Sequence, residues 1–544
     1  MNASQIFHEA TTIFFRHYHN KPYTLFNAPL FHRKASAGQI PQYLQFAFIA
    51  TAVRFSSQIQ WKQRKQSTID SYARASWELI MSSPDGLGDS DSSDVSVIQA
   101  LALLAIIDAM AGRRRAAWVK IGMAVRISQD LGMMEEAGVE GGCVDELERE
   151  ERRGLFWSLF LLDRFVCCSF RRPPAIKVKD CRLNLPVDRA LKEGEMAMTL
   201  GELLDSNVRG RTGQVVSLSG LSVGFAALLG RTIDCMMNRE ERAIEPWKDP
   251  SDYSSIRTSL EFLKQMADTH HSPDESSDTD RTPHLVLSLT LYHLTHCILS
   301  HPFLLGVKRQ TYQATPTAWV EAQIASCWSH ALDLTTLVVD AKRAGYMLAP
   351  SFYSYCVLVA GTVHALLLHG EDRLASERAS KYLKTSFDYL SEMTEMWHNS
   401  YIMSDALRFF TNRCVRYSSI LLGPAPLFKN LTQTDITVLR AVLDYWTMMD
   451  PRNPISDLNS INIDCFANTP GKGKQERERE QQSLTPDDTT TGSSGSSKNE
   501  PENRTVDPNV LVDFPLSISS PTTPEGEGGT EFHKWDWDNE LGSM

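Results

Sequence analysis

Two groups of residues have side chains that could bind a metal ion. His293 and His296 lie three positions apart, which places both imidazoles on one face of a helix, and His301 follows. Zinc hydrolases carry a glutamate within a His-Glu-x-x-His pattern, and this run has no such glutamate. We therefore expect packed histidines here and no metal site.

The second group is Asp89-x-Asp91-x-x-Asp94, which approaches the magnesium-binding carboxylates of isoprenoid synthases. Those carboxylates must project from one helical face, whereas this group stands in a Ser- and Gly-rich run that we expect to be a loop. The sequence also has no Gly-Lys-Ser/Thr phosphate-binding loop. We predict no catalytic residue, no cofactor and no metal ligand in this chain.

The charge balance limits the kinds of partner. The chain of 544 residues has 55 basic and 66 acidic residues and a formal charge of -11, whereas a surface built to neutralise phosphates is basic.

Several of the ten cysteines lie in apolar helical patterns, which indicates buried, reduced thiols. The best membrane candidate, Val95–Met110, is interrupted by Gln99 and Asp108 and is too short to span a bilayer, so we expect no membrane contact.

Apolar residues recur with helical spacing through most of the chain, and no alternation long enough for a sheet is present. We predict an all-α fold: a multi-helix domain over residues 1–465 with loops near 82–96 and 268–282. Gly132 is predicted to end one helix in a left-handed conformation, and Asp145 to begin the next. Predicted helices are 95–111, 113–131, 145–168, 218–238, 317–344, 351–369, 377–397, 402–421 and 433–449.

The helix over 145–168 is apolar on most sides and should be central and buried. It carries the adjacent charges Asp163 and Arg164, which need partners if they are buried. Arg126 and Asp130, four apart on the preceding helix, are the partners that we expect. Structural ion pairs between packed helices explain these charges more simply than an effector-responsive network does.

From about Phe466 the composition turns polar and charged, so we predict a disordered tail over 466–544. Near its end, four acidic residues against one lysine surround Phe532, Trp535, Trp537 and Leu541. Acidic neighbours keep such aromatic side chains solvated and available to a partner's groove. Residues 505–544 are therefore a candidate transcriptional activation segment, with an inert polar tail as the alternative.

The stretch Val97–Pro186 resembles the regulatory domain of fungal-specific transcription factors. Trp118 precedes Gly-Met-Ala-Val-Arg126-Ile-Ser-Gln-Asp130-Leu-Gly, and Glu150-Glu-Arg-Arg153-Gly-Leu-Phe-Trp157 leads to Leu-Asp163-Arg164. Arg-Arg-Pro173-Pro174-Ala-Ile then matches the family's Gly-Arg-Pro-Pro-Ala-Ile, except that Arg171 replaces the glycine. This departure argues against a tight left-handed turn at position 171.

The resemblance implies a nuclear transcriptional regulator, acting as an activator on a fungal metabolic or secondary-metabolite gene set. Its implied partners are a coactivator or other transcription machinery, with possible homo- or heterodimers. The family's zinc binuclear cluster needs six cysteines in two Cys-x2-Cys-x6-Cys arms, and the only close pair here is Cys167-Cys168. We expect no zinc cluster in this chain: either the module was lost or the sequence begins downstream of it, and DNA contact is then indirect or through a missing N-terminal module.

Two alternatives remain from the sequence. One is a helical small-molecule-binding protein or enzyme, with a pocket lined by Trp118, Trp157 and Phe160. The other is a regulator that sequesters full-length family members by dimerising with them.

Overall fold

A computed structural model describes residues 3–56, 64–82, 91–136, 145–187, 191–207, 213–238, 244–269, 282–310, 315–346, 350–370, 372–422, 430–452 and 455. The described helices all belong to one compact unit, Met1–Ile461. The predicted tail over 466–544, with Phe532, Trp535, Trp537 and Leu541, lies outside the described residues, as do Asp89, Cys143 and Cys465.

Seven helices lie in the described residues of the N-terminal third. They are α1 Ala3–His17, α2 Ala28–Ser36, α3 Gln42–Val53, α4 Lys65–Ser82, α5 Asp91–Met110, α6 Arg114–Asp130 and α7 Glu146–Val166. α3 packs against α1, α4 and α5, and α6 lies between α5 and α7. The predicted loop near 82–96 is therefore shorter than expected, since α5 already begins at Asp91.

The middle of the chain holds short elements and the first helices of the second half. They are a 3-10 turn Val178–Asp180, β1 Met196–Ala197, α8 Leu200–Leu204, β2 Gln214–Val215, α9 Leu218–Ile233, a π-helical turn Asp234–Asn238, α10 Asp252–Thr269, α11 Thr282–Leu299 and α12 Pro302–Arg309. β1 and β2 pair in parallel over two residues each. The fold is all-α, as predicted.

Seven more helices follow among the described residues. They are α13 Thr317–Arg343, α14 Phe352–Leu367, α15 Arg373–Met393, α16 His398–Thr411, α17 Cys414–Leu421, α18 Gln433–Ala441 and α19 Tyr445–Met448. α9 packs on α7, α10 and α11, and α11 packs on α13 and α14, so the core runs continuously through both halves. The predicted helices 402–421 and 433–449 are each divided in two, at Asn412–Arg413 and Val442–Asp444.

Two long helical stretches are buried on all sides. Every residue of α14 from Phe352 to Leu366 is buried, and so is every residue of α7 from Leu155 to Val166. The central position predicted for α7 is confirmed. A helix that is apolar on all sides can only be accommodated by packing against neighbours on all sides, which explains why the bundle closes around these two.

Local signals set several helix ends as predicted. Gly132 follows α6 with a φ of 63°, the left-handed conformation in which glycine has no steric penalty. The Asp145 side chain caps α7 by accepting from the N–H of Leu147 at 3.3 Å, and it also accepts from Arg33 at 2.6 Å. These caps fix where α6 ends and α7 begins.

Among the described residues, one helical stretch, Leu218–Asn238, is long and apolar enough to cross a membrane by length and composition alone. In the structure 72% of the 18-residue window that meets this test is buried. It is the core stretch formed by α9 and the π-helical turn.

Candidate regulatory site in the helical domain

The C-terminal end of α7 holds the loop that follows it. The carboxylate of Asp163 accepts from the backbone N–H of Ala175 at 3.0 Å and from that of Ile176 at 3.1 Å. The preceding Pro173 and Pro174 have no N–H to offer and cannot continue a helix. The buried Asp163 thus fixes the loop against its own helix.

Arg164 completes this attachment. Its guanidinium donates to the carbonyl of Ile176, lies 3.7 Å from Asp163 and stands over the ring of Phe160 at 4.5 Å. Burial lowers the pKa of Arg164 and raises that of Asp163, and the opposite charge of each counteracts both shifts. The side chain fits because Gly230 on α9 faces it, where an added Cβ would lie 3.1 Å from the Cδ of Arg164.

The predicted ion pairs from α6 to this site are wrong. Arg126 is exposed and donates to Gln129 on its own helix at 2.8 Å, and Asp130 is also exposed. Sequence spacing placed both residues on a helix next to α7, but they lie on its solvent side. Asp163 instead accepts from two backbone N–H groups, and Arg164 donates to a backbone carbonyl.

Two further motif residues fix a different segment. Arg153 pairs with Glu136 at 2.9 Å, and Glu136 also accepts from the N–H of Asn184 at 3.1 Å. Trp157, 2% exposed, donates its indole N–H to the carbonyl of Asn184 at 2.8 Å. Both residues therefore hold the chain at Asn184 against α7.

Residue 171 keeps the left-handed turn that the family's glycine would favour. Arg171 has a φ of 61°, and its N–H donates to the side chain of Asn238 at 2.5 Å. The expectation that the arginine removes this turn is wrong. The bond to Asn238 and the loop's attachment to Asp163 impose the conformation, although it is unfavourable for a residue with a Cβ.

Arg172 lies between two indole rings. Its guanidinium carbon is 4.6 Å from the ring centre of Trp118 and 3.5 Å from that of Trp446. Trp118 is 43% exposed, so this cation–π contact lies at the protein surface. The contact connects the loop after α7 to α19, nearly three hundred positions further along the chain.

Asp444 strengthens the same connection. Its carboxylate accepts from the hydroxyl of Ser169 at 2.8 Å and from the N–H of Phe170 at 3.2 Å. The N–H of Tyr445 donates to the carbonyl of Cys168 at 2.9 Å. The start of α19 is thus fixed to the end of α7.

A cavity of about 410 Å³ opens between the loop after α7, the end of α9 and the π-helical turn. We call it the arginine pocket. Its walls include five cationic side chains, from Arg164, Arg171, Arg172, Lys177 and Arg231, against one carboxylate, that of Asp234. Among the described residues the buried Nε of Arg164 has no hydrogen-bond partner. Cavities of this size suit small metabolites, and the lining favours an anion.

The sequence revealed only part of this pocket. Arg164, Pro173 and Pro174 belong to the recognised motif, whereas Lys177, Arg231 and Asn238 were not identified from the sequence. A π-helical turn often marks a functional position, but it leaves no clear sequence signal here. Only the packing of α9 against α7 brings Arg231 to Arg164.

The aromatic residues expected around one pocket are separated. Trp157 borders a second cavity of about 310 Å³, together with Glu150 and Arg153. Trp118 lies at the surface beside Arg172, and Phe160 packs beneath Arg164 and against Trp157.

One further motif does not form a catalytic site. Gly220-Leu-Ser222-Val-Gly224 has the Gly-x-Ser-x-Gly pattern of hydrolase nucleophile turns, but it lies inside α9. The Ser222 hydroxyl is buried, 3.1 Å from the carbonyl of His284 and 2.9 Å from the hydroxyl of Ser288. It joins α9 to α11 and has no strained, exposed turn around it.

The eight described cysteines are free, and seven of them are buried. Burial raises the pKa of Cys167 to about 12. Adjacent Cys167 and Cys168 are thus unreactive thiols of the core, as the sequence indicated.

The segment of residues 11–264 matches the family model of the fungal specific transcription factor domain. It contains all of α2 to α9 and the whole arginine pocket. The motif residues around Asp163 therefore lie in the part of the chain that is similar to a transcription-factor domain.

Particular relatives agree with this family. An uncharacterized transcriptional regulatory protein of Schizosaccharomyces pombe is 28% identical over 269 residues, covering 46% of this chain and 27% of its own length. A Zn(2)-C6 fungal-type transcription factor of Fusarium oxysporum f. sp. lycopersici is 22% identical, covering 75% of this chain and 45% of its own length.

The nitrogen assimilation transcription factor nirA of Emericella nidulans is 24% identical over 411 residues, covering 72% of this chain and 43% of its own length. The chain thus spans less than half the length of these curated relatives.

Proposed function

We propose that this protein is a fungal transcriptional regulator whose helical domain binds a small anionic effector in the arginine pocket. The observation that carries the proposal is the set of five cations around a cavity built from the family's own motif. Arg164 lines this pocket, and its buried Nε has no hydrogen-bond partner among the described residues. A carboxylate or phosphate group would supply the missing acceptor and reduce the repulsion among the cations.

The effector would act through the contacts between the pocket and α19. Arg172 is both a wall of the pocket and the side chain between Trp118 and Trp446. An anion that draws Arg172 inward would weaken its contact with Trp446 on α19, the last helix that the structure describes in full. The proposed activation segment 505–544, with Phe532, Trp535, Trp537 and Leu541, follows along the chain.

In this proposal the protein acts in the nucleus and is not an enzyme. Its target genes are metabolic or secondary-metabolite genes, and coactivator or other transcription machinery binds the acidic segment. DNA contact comes through a partner or through a zinc cluster outside this sequence. The name of one relative refers to nitrogen assimilation, which supports a metabolic role.

The pocket is tested by anion binding to the purified full chain. Titration calorimetry with citrate and with pyrophosphate should detect binding to the wild-type chain. Arg231→Ala or Lys177→Ala should weaken the affinity by about ten-fold or more, because each removes one charge-assisted hydrogen bond to the anion. Lys179→Ala is the matched control, since Lys179 is exposed on the same segment and does not line the cavity. Equal affinity in Lys177→Ala, Arg231→Ala and Lys179→Ala would refute the pocket.

Activation is tested with the full chain fused to a foreign DNA-binding domain in a fungal reporter strain. Replacing Trp535 and Trp537 by alanine should remove most of the reporter signal, because the acidic residues alone offer no apolar surface to a partner's groove. Replacing Thr522 and Thr523 by alanine should leave the signal unchanged. A silent wild-type fusion would favour sequestration of full-length family members over activation.

A further inference from the structure

Three potential metal ligands meet between α11 and α13, far from the motif residues in sequence. They are His293, His330 and Asp333, and one ligand atom from each lies within 4.8 Å of the other two. The two Nδ1 atoms of His293 and His330 are 3.0 Å apart, and Asp333 Oδ2 is 4.0 Å from Nδ1 of His293. We call this group the histidine cluster.

The helix geometry explains why the three side chains converge. His330 and Asp333 are three positions apart on α13, so they share a face, and α13 packs directly against α11, which carries His293. The sequence pointed to His293 and His296, but the partners on α13 were not identified. The His330-x-x-Asp333 spacing was the signal available in the sequence.

Neighbouring rings hold the imidazoles in place. His296 stacks on His330 with ring centres 4.0 Å apart and an angle of 5° between the planes, and Tyr292 meets both rings edge-on. His296 Nε2 lies 3.4 Å from the carboxylate of Glu261 on α10. Imidazoles that bind metals are commonly oriented by such surroundings.

The separation of the two nitrogens suits a shared metal ion. Two nitrogens bound to zinc at about 2.0–2.1 Å in a tetrahedral arrangement lie about 3.3 Å apart, so His293 and His330 need to move by only a few tenths of an ångström. Asp333 has a side chain 58% exposed and can rotate toward the site.

We propose that His293, His330 and Asp333 bind one Zn²⁺ ion, which joins α11 to α13 and keeps a fourth position open to solvent or to a partner's ligand. Two imidazole nitrogens and one carboxylate oxygen are a donor set for zinc and its transition-metal neighbours, whereas magnesium and calcium take oxygen ligands. This site is independent of the arginine pocket and of the family's zinc cluster.

The experiment uses the full chain, stripped with chelator, in a background where Cys143 and Cys465 are replaced by serine to remove two thiols outside the described residues. Calorimetry with ZnCl2 should give one ion per chain, and differential scanning fluorimetry should show a higher Tm with ZnCl2 and no such rise with MgCl2. Asp333→Asn should weaken zinc binding by more than about ten-fold, and His330→Asn should abolish it.

His398→Asn, at an exposed position on α16, is the matched control and should bind zinc like wild type. If His330→Asn fails to fold, Asp333→Asn still decides, because Asp333 is largely exposed and its loss leaves the core intact. Zinc binding of wild-type affinity in Asp333→Asn and His330→Asn, or no one-to-one binding by wild type, would overturn the site.

Discussion

Asp163 and Arg164 show how single buried charges can organise a loop. Asp163 is 2% exposed, and its two oxygens are used by two consecutive backbone N–H groups. A buried carboxylate without such partners would cost several kcal/mol. The motifs Leu-Asp-Arg and Arg-Pro-Pro-Ala-Ile therefore form one structural unit, in which the end of the helix and the following loop stabilise each other.

A pH dependence of stability follows from buried His364 on α14. Its Nε2 lies 3.0 Å from the hydroxyl of Thr335, and burial lowers its pKa to about 3, against an ordinary value of 6.5. Below pH 6.5 the unfolded chain gains a proton that the folded chain does not. This histidine should therefore lower the free energy of unfolding as pH falls from 6.5 toward 3, by about 2 kcal/mol at pH 5.

Urea unfolding at pH 7 and pH 5 measures this loss. His364→Gln cannot take up the proton, so its loss between the two pH values should be smaller than that of wild type by about 2 kcal/mol. Burial also lowers the pKa of His301 to about 3, so the free energy of unfolding of His364→Gln should still fall somewhat between pH 7 and pH 5. An unchanged pH dependence in His364→Gln would show that His364 is protonated in the folded state.

At the scale of elements, the turn after α7 carries strain at Arg171. Its φ of 61° costs a residue with a Cβ about 1–2 kcal/mol, whereas glycine adopts it freely. Arg171→Gly should raise the free energy of unfolding by about 0.5–1 kcal/mol, since the relieved strain exceeds the added entropy of the unfolded glycine. The same variant should bind citrate less well, because it removes a cation from the arginine pocket.

Gly132→Ala makes the reverse change, because it adds a Cβ to a residue in the left-handed conformation. Gly132 has a φ of 63°, and an added Cβ there would meet no atom within 4 Å, so only the backbone conformation opposes the substitution. It should lower the free energy of unfolding by about 1 kcal/mol. Urea unfolding of both variants measures the sign of each change in the free energy of unfolding. A lower free energy of unfolding for Arg171→Gly would mean that contacts of the arginine side chain stabilise the fold by more than its backbone strain destabilises it.

Across the whole molecule, the arginine pocket and α19 are joined by packing. Pocket residue Arg172 touches Trp446, and Asp444 and Tyr445 bond to residues at the end of α7. The family domain ends at residue 264 in its match, yet its loop after α7 is held by residues beyond 440. The second half of the bundle is therefore packed against the part of the chain that matches the family model, which suits a domain proposed to pass a ligand signal to the C-terminal segment.

The sequence by itself determined the helical class, the central place of α7, the left-handed end at Gly132 and the cap at Asp145. These features depend on the spacing of apolar residues and on single residues at helix ends, which are local properties of the chain.

Only the tertiary structure decided the partners of the charged residues. Arg126 and Asp130 were expected at Asp163 but face solvent. Arg231 lines the same pocket as Arg164, and His330 lies beside His293. Periodicity shows which residues share a face of one helix, but it does not show which face of which other helix lies opposite. That choice depends on how the whole set of apolar surfaces packs together.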